Sequence, residues 1–388
     1  MRVLTITSLF PSSAAPSQGV FVLRRVQAMR AEGAEARVIA PVPWVPPCPL
    51  PSRYARARAI PATEEIEGIA VRRPRYLMVP KIGMWFQDRA YAHAIRGAVR
   101  EEAARFRPDV IDVHYLYPDA CAVARVARET GLPFIASARG SDVKRLGRIP
   151  GIARRIQRAL KGARGIVAMS RDLADAMRGL GAGDVRVIPN GVDPALFRPR
   201  DRAEARRALG LPTEGRRVVC VGAIDDVHGQ ELLVEALAHG GAPRDVVLDL
   251  VGGGALGALR RRAEALGVAD RVRFVGVVPP AQAPLWFAAA DASAHAGRWA
   301  GSPNAVLESL ACGTPCLASD LPEMREAIPT SAEGVLAART PAAFARGLAA
   351  ILAARASPPR PSRTWSDVGR EVLAYFEERL RQAVGAGL

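Results

Sequence analysis

Short β-branched apolar runs alternate with stretches of helical spacing from Arg2 onward, and at Arg216 the alternation begins again. Nothing else in the chain constrains the fold as tightly. Strands that alternate with helices pair in parallel, with the helices laid on the sheet. In the first half the apolar runs are "RVLTITS" (Arg2 to Ser8), "ARVIAP", "RPDVIDVHYL", "GLPFIASARGSD", "ARGIVAMS" and "DVRVIPNGV". Helical spacing covers Val20 to Glu32, with Val22, Val26 and Met29 on one face and a stop at Gly33. It returns from Trp85 to Phe106 and from Cys121 to Glu129. The second half repeats the scheme: "RRVVCVGAI", a helix from Gln230 to Ala238, "DVVLDLVGGG", a helix from Leu256 to Leu266, then "RVRFVGVV", "ADASAHA" and "TPCLASD". Two doubly wound α/β domains are therefore expected, residues 1–193 and 194–364. The segment "NGVDPALFRPR" (Asn190 to Arg200), with its prolines and polar residues, suits the linker. Between Ser331 and Arg363 a short helix and the loop "ASPPRPSR" are expected. The last stretch, residues 365–388, carries Val368, Val372, Tyr375, Phe376 and Leu380 at helical spacing and is expected to dock back on the first domain.

Composition narrows the class. A chain of 388 residues fits two domains at roughly 100–200 residues each. Apolar residues make up 49% and charged residues 24%, as in soluble globular proteins. No apolar run approaches the ~20 residues that span a bilayer, and "MRVLTITSLF" lacks the apolar core of a signal peptide. The five cysteines, Cys48, Cys121, Cys220, Cys312 and Cys316, form no CxxC pair, which argues against a disulfide framework and for a cytoplasmic chain. Cys312 and Cys316 are expected four apart on one helix, as small buried residues. The formal charge of +16 is uneven: residues 1–194 hold 31 Lys+Arg and 17 Asp+Glu, a net +14, and the rest is near neutral. Two readings stay open, a merely basic soluble surface or a first domain that meets an anionic partner, such as the inner face of a membrane. No aromatic-interleaved basic motif supports a nucleic-acid partner.

Candidate functional residues cluster after strands. In "GSPNAVLESLACG", Ser302 suits a helix N-cap and Pro303 the first helical position. The amides of Asn304, Ala305 and Val306 would then form an anion site suited to a diphosphate. Glu308, one turn on, would accept hydrogen bonds from vicinal hydroxyls such as a ribose. The plain alternative is an ordinary capped helix with a surface glutamate. In "VGAIDDVHG" a strand ends at Gly222, and His228 is the loop cation offered to a phosphate. "LVGGGA" is a glycine turn without the full dinucleotide fingerprint. In the first half, Gly19 permits close backbone approach to a ligand. His114 and Tyr115 close one strand; Arg139 follows another, within "SARGSD", as a partner for hydroxyls or oxyanions.

The order of these motifs resembles the family 4 retaining glycosyltransferases. It runs through "GVFVLRRVQAMRAEGAEARVIAP", "DVIDVHYLYPDA", "PFIASARGSD", "VRVIPNGVDPALFRP", "VGAIDDVHGQELLVEAL", "LGVADRVRFVGVVP" and, most specifically, "SPNAVLESLACGTPCLAS". The resemblance implies the GT-B fold of two facing Rossmann-like domains. It implies transfer of a sugar from a nucleoside diphosphate sugar to a saccharide or lipid-linked acceptor, with retention of configuration and without a metal or other cofactor. Glu308 would hold the donor ribose, and Ser302 with the amides of Asn304, Ala305 and Val306 would hold its diphosphate. Gly222 and His228 would line the donor site. Gly19 would lie by the donor phosphates, and Arg139 would touch the donor sugar. His114 and Tyr115 would face the acceptor. Ala300 stands where the family carries the first acid of an E-x7-E motif, His228 where it carries a lysine, and Ala223 where many members carry an arginine. These departures keep a second reading alive: a non-catalytic sugar or nucleotide binder, or a partner subunit of an active transferase.

Overall fold

The computed structural model describes residues 1–45, 57–78, 83–299, 301–353 and 363–385. The chain divides into two compact units, one of Met1–Gly191 with Trp365–Leu388 and one of Val192–Thr364.

The strands of the first unit are β1 (Arg2–Thr7), β2 (Glu35–Ile39), β3 (Val42–Trp44), β4 (Thr63–Ile66), β5 (Ile69–Arg72), β6 (Arg75–Leu77), β7 (Val110–His114), β8 (Phe134–Ser137), β9 (Gly165–Ala168) and β10 (Arg186–Val187). Eight of them form one sheet in the order β10-β9-β8-β7-β1-β2-β5-β4, and β3 pairs with β6 apart from it. All pairs of the large sheet are parallel except β4 with β5. The central strands are buried throughout, β7 and β8 in every residue, which is why they read as continuous apolar runs rather than alternating ones. The helices are α1 (Val20–Ala31), α2 (Gln87–Arg105), α3 (Cys121–Thr130), α4 (Ser141–Lys144), α5 (Pro150–Gly162) and α6 (Arg171–Gly179). Val22, Val26 and Met29 of α1 are fully buried.

The second unit holds β11 (Arg216–Val221), β12 (Val246–Val251), β13 (Val272–Gly276), β14 (Ala292–His295), β15 (Cys316–Ser319) and β16 (Gly334–Ala337), in the order β13-β12-β11-β14-β15-β16. Every pairing is parallel. Its helices are α7 (Arg202–Ala208), α8 (Gln230–Ala238), α9 (Leu256–Ala265), α10 (Ala283–Ala289), α11 (Asn304–Ala311), α12 (Pro322–Ala327) and α13 (Pro341–Ala353). The C-terminal helix α14 (Trp365–Gly385) packs against α1 in the first unit. It buries Val368, Val372, Tyr375 and Phe376, and the backbone amide of Ile166 donates to the Tyr375 hydroxyl at 3.1 Å.

Three details differ from the sequence reading. The hairpin β4–β5 makes the edge of the first sheet antiparallel. Its strand "TEEI" is too acidic and too short to register as apolar, and its turn is made by Glu67 and Gly68, both at positive φ. The short strands β3, β6 and β16 carry too few residues for a periodic signal. Cys312 and Cys316 do not share a helix: Cys312 caps the end of α11, Gly313 at φ 77° ends the helical path, and Cys316 opens β15. Cys121, Cys220, Cys312 and Cys316 are all free and buried, and burial pushes each thiol up. Cys48 and most of "ASPPRPSR" lie outside the described residues. Among the described residues no helix is long and apolar enough to cross a membrane.

Candidate functional site

Ligands of open α/β sheets gather outside the carboxyl ends of the strands, where the strand order reverses. That point lies between β1 and β7 in the first unit and between β11 and β14 in the second.

In the second unit, β11 ends at Val221 and runs through Gly222 into a loop organised by Asp225. The Asp225 carboxylate accepts from the backbone amides of Val227 at 3.0 Å and His228 at 2.9 Å, and it meets His228 Nδ1 at 2.7 Å. A carboxylate only accepts, so His228 Nδ1 carries a hydrogen. Gly229 then starts α8 at φ 71°; a Cβ there would lie 2.2 Å from the Ala296 carbonyl oxygen, so only glycine lets the loop seat against the end of β14. Two arginines close the same junction. Arg298 Nε donates to the Asp226 carbonyl at 3.0 Å, and Arg339 Nε donates to the Ala296 carbonyl at 3.1 Å. His295, the last residue of β14, is held neutral: burial, helped by the neighbouring His228, lowers its pKa to about 4.

Three buried polar atoms in this region lack a hydrogen-bond partner: His295 Nε2, Gln230 Oε1 and Ser302 Oγ. Leaving such an atom unpaired costs about 1–3 kcal/mol, so each marks a place where a ligand, an ion or an ordered water can be received. Gln230 is otherwise well fixed, its Nε2 donating to the Ala223 carbonyl at 2.8 Å.

The start of α11 differs from expectation. Pro303, not Ser302, occupies the cap, and no side chain caps the helix. The Asn304 amide donates to the Ser302 carbonyl at 2.9 Å and the Val306 amide to the Pro303 carbonyl at 3.0 Å. Two of the three amides expected to be free are thus spent in a tight turn. Pro303 sits at φ −81° and ψ 63°, and the Ser302 hydroxyl just before it is buried and unpaired. Glu308 sits one turn along, half-buried. Ala300 lies outside the described residues.

In the first unit, sequence-distant charges converge. On α1, Arg25 is 1% exposed and places NH2 3.4 Å from Asp112 Oδ1 and 3.3 Å from Ser137 Oγ. The other Asp112 oxygen lies 2.9 Å from His114 Nε2, and His114 Nδ1 meets Arg139 NH2. Arg139 is half-buried, with NH1 3.0 Å from Met169 Sδ and 3.5 Å from Asn190 Oδ1, and its guanidinium lies 5.0 Å from the Phe21 ring centroid. Burial would raise the Asp112 pKa, but Arg25, His114 and Arg139 outweigh it and hold the carboxyl well below the ordinary range. Burial lowers Arg139 to about 9, helped by Arg25 and opposed by Asp112 and Asp142. Asp142 accepts from the amides of Leu116 at 2.8 Å, Arg139 at 3.1 Å and Gly140 at 2.8 Å, which ties the loop after β8 to the end of β7. Nearby, Asp119 accepts from Ser8 and from the Tyr91 hydroxyl at 2.9 Å, and burial raises its pKa to about 7.

Two assignments change here. His114 is 0% exposed with both ring nitrogens engaged, so it does not face an acceptor. Tyr115 does remain half-buried, with its hydroxyl 2.8 Å from Ser141 Oγ. Gly19, at φ 68°, makes its close approach to the chain itself: a Cβ would lie 2.3 Å from the Leu9 carbonyl oxygen. Arg25, Asp112, Gln230 and His295 went unnoticed in the sequence. His295 had a readable signal, since it ends a strand in "ASAHA" just as His114 ends one in "DVIDVH". Among the described residues, no group of three His, Cys, Asp or Glu is placed to hold a metal ion.

Known proteins agree with this architecture. The family described as "Glycosyltransferase Family 4" matches residues 18–196, and "Glycosyl transferases group 1" matches residues 215–354. The putative teichuronic acid biosynthesis glycosyltransferase TuaC of Bacillus subtilis is 30% identical over 329 residues, covering 83% of this chain and 81% of its own. A D-inositol 3-phosphate glycosyltransferase of Jonesia denitrificans is 28% identical over 417 residues, 96% and 94% of the two chains. Among solved structures, sucrose-phosphate synthase of Thermosynechococcus elongatus superposes with a TM-score of 0.75 at 22% identity, over 100% of this chain and 98% of that one. HepE of Anabaena, in complex with UDP and glucose, gives 0.70 at 18% identity, over 97% and 100%. These likenesses favour an enzyme over the non-catalytic binder that Ala223, His228 and Ala300 had kept open. Two Rossmann-like units, each with its polar groups gathered where the strand order reverses, and relatives that are transferases along most of their length lead to one conclusion: the chain belongs to the family 4 glycosyltransferases and has their GT-B fold.

Proposed function

We propose that the enzyme moves a sugar from a nucleoside diphosphate sugar to a saccharide or lipid-linked acceptor with retention of configuration, in the synthesis of a surface polysaccharide or glycoconjugate. The observation that carries the donor assignment is the set of unpaired buried atoms, His295 Nε2, Gln230 Oε1 and Ser302 Oγ, where the second sheet's order reverses. The Ser302 hydroxyl and the Ala305 amide at the start of α11 hold the diphosphate, with the N-terminal end of the helix favouring its charge, while the amides of Asn304 and Val306 stay in the turn. Glu308 accepts from the ribose hydroxyls. Gly222 keeps the loop backbone close to the donor, and His228, its Nδ1–H held by Asp225, donates to the phosphates from Nε2 as the imidazolium. That UDP and UDP-glucose complexes of HepE exist supports this class of donor.

Transfer breaks the bond from the anomeric carbon to the diphosphate oxygen and forms one to an acceptor oxygen, whose proton passes to the departing diphosphate. Negative charge grows on the departing diphosphate, so cations that hold it more tightly in the transition state accelerate the step. Arg139 is the fixed cation assigned to donor contact, and Tyr115 is assigned to the acceptor side. Gly19 shapes the first loop without a ligand contact of its own. No metal is required. The basic first half meets an anionic acceptor or an anionic membrane surface.

Calorimetry of the purified chain against UDP-, GDP-, ADP- and dTDP-sugars, followed by anomeric analysis of product by NMR, tests this reading. Binding of one nucleotide class and a product that keeps the donor's anomeric configuration, unaffected by EDTA, is the expected result. Absence of any nucleotide binding overturns the donor assignment; an inverted product overturns retention. Failure to sediment with anionic vesicles at moderate salt removes the membrane part.

A further inference from the structure

We propose that Asp112 and His114 form a buried relay that orients Arg139, which makes His114 a positioning residue for sugar transfer rather than a substrate contact. The inference rests on the donor-contact role given to Arg139 above. Its basis is a continuous chain of contacts. Arg139 NH2 meets His114 Nδ1, His114 Nε2 lies 2.9 Å from Asp112 Oδ2, and Asp112 Oδ1 lies 3.4 Å from Arg25.

The chemistry admits one protonation pattern. A guanidinium nitrogen can only donate, so Nδ1 must be bare. A carboxylate can only accept, so Nε2 must carry the hydrogen. His114 is therefore the neutral Nε2–H tautomer, and each partner enforces it. A charged ring would set N–H against N–H at Arg139 and turn a hydrogen bond into repulsion. The charged groups that face the ring are Arg25 from α1, Asp112 from β7 and Arg139 after β8. Burial, with Arg139 and Arg25, lowers the ring's pKa to about 3 against the pull of Asp112.

The relay also explains why a rigid arginine is placed here. The Arg139 side chain has a Met169 sulfur 3.0 Å and Asn190 Oδ1 3.5 Å from NH1, and the Phe21 ring 5.0 Å from its centre, contacts that are soft or at the limit of hydrogen-bond range and fix its direction weakly. The His114 acceptor is the directional one, and Asp112 holds that acceptor's tautomer. Arg25, 1% exposed, keeps Asp112 ionised from the far side. A cation pre-oriented in this way needs no reorganisation when charge develops on the leaving group.

Two measurements decide the matter. The first needs no substrate. In 15N-labelled protein the five histidines give few imidazole signals, and His114→Asn identifies the one that belongs to His114. The relay requires a neutral Nε2–H ring whose shifts stay constant between about pH 5 and 8, across the range where an ordinary histidine titrates. An Nδ1–H tautomer, or titration in that range, overturns the proposal. The second uses whichever nucleotide sugar the wild type turns over. His114→Phe is expected to lower kcat about 10–100-fold with little change in donor KM. His114→Asn, whose side-chain oxygen replaces Nδ1 as acceptor, is expected to recover most of that loss. In an Arg139→Ala background, His114→Phe should add less than about twofold, because residues that act as a unit are not additive. Independent, multiplying losses mean that His114 is only structural and overturn the relay. If the wild type turns over no nucleotide sugar, the functional reading fails, while the imidazole spectrum still decides the relay.

Discussion

The two units are built on the same plan but treat their buried polar groups differently. In the first, the charges near the strand-order reversal satisfy one another: Arg25 with Asp112, Asp112 with His114, His114 with Arg139, and Asp142 with three backbone amides. Only the Nε atoms of Arg25 and Arg139 stay unpaired within that group. In the second unit the ion pairs lie elsewhere, the buried pair Arg217 with Asp249 and the part-buried pair Arg206 with Asp291, and Asp291 comes just before its strand rather than after it. What the second unit keeps at the carboxyl ends of β11 and β14 is the unpaired trio of His295, Gln230 and Ser302. A self-satisfied network is rigid and presents one preset group. An unsatisfied one stores a cost that a bound ligand, ion or water removes. The same fold thus supplies a preorganised cation in one unit and a receptive site in the other.

Matched substitutions in the two units test that contrast. The largest effects come from the buried ion pairs. Asp112→Asn and Asp249→Asn each leave a buried arginine unpaired, and each should destabilise the chain by about 3–5 kcal/mol in denaturant unfolding. Only Asp112→Asn should also lower kcat beyond its effect on stability, because only that pair leads on to Arg139. Equal effects on activity would erase the distinction. Next come the glycines that start the helix after the first strand of each unit. Gly19→Ala and Gly229→Ala combine a positive φ with a Cβ driven to 2.3 Å and 2.2 Å from a carbonyl oxygen. Each should cost about 2–4 kcal/mol, and similar costs would show that the two units share this device.

The histidines should then part company. His114→Phe leaves Arg139 and Asp112 short of a partner and should destabilise by about 1–3 kcal/mol. His295→Phe removes an unpaired atom and should leave thermal stability unchanged or raised, while weakening nucleotide binding about tenfold. A large stability loss at His295 would mean that its Nε2 is satisfied within the fold. The smallest effects belong to two serines. Ser170 caps α6 through the Leu173 amide at 3.2 Å, so Ser170→Ala should cost about 1 kcal/mol. Ser302→Ala should cost no stability, since Ser302 caps nothing, and should weaken binding of UDP or of whichever nucleotide the screen identifies.

Most of the scaffold was legible in the sequence because burial on both faces leaves a continuous apolar run. Val3 to Ile6, Val110 to His114 and Val218 to Cys220 are buried strands for that reason. Helix α14 was equally plain, because Val368, Val372, Tyr375 and Phe376 fall on one buried face. The hairpin "TEEIEGIAVR" was not, because an edge strand needs few apolar residues and its charge is part of how an edge is protected. At the site, Arg139, His114 and Ser302 drew attention by position alone, but their roles did not follow from it. Pro303 fits either a cap or a first helical position, and only the local turn decides.

The sequence by itself determined the repeated α/β plan, the family and the short set of residues at strand ends, since periodicity and motif order are local properties. Which polar groups are paired is not local. Arg25 and Asp112 are 87 positions apart, Arg139 and His114 are 25 apart, and Gly229 meets Ala296 across the sheet. Only the tertiary structure brings such groups within hydrogen-bond range, and it alone decided that His114 meets Arg139 while His295 Nε2 finds no partner among the described residues.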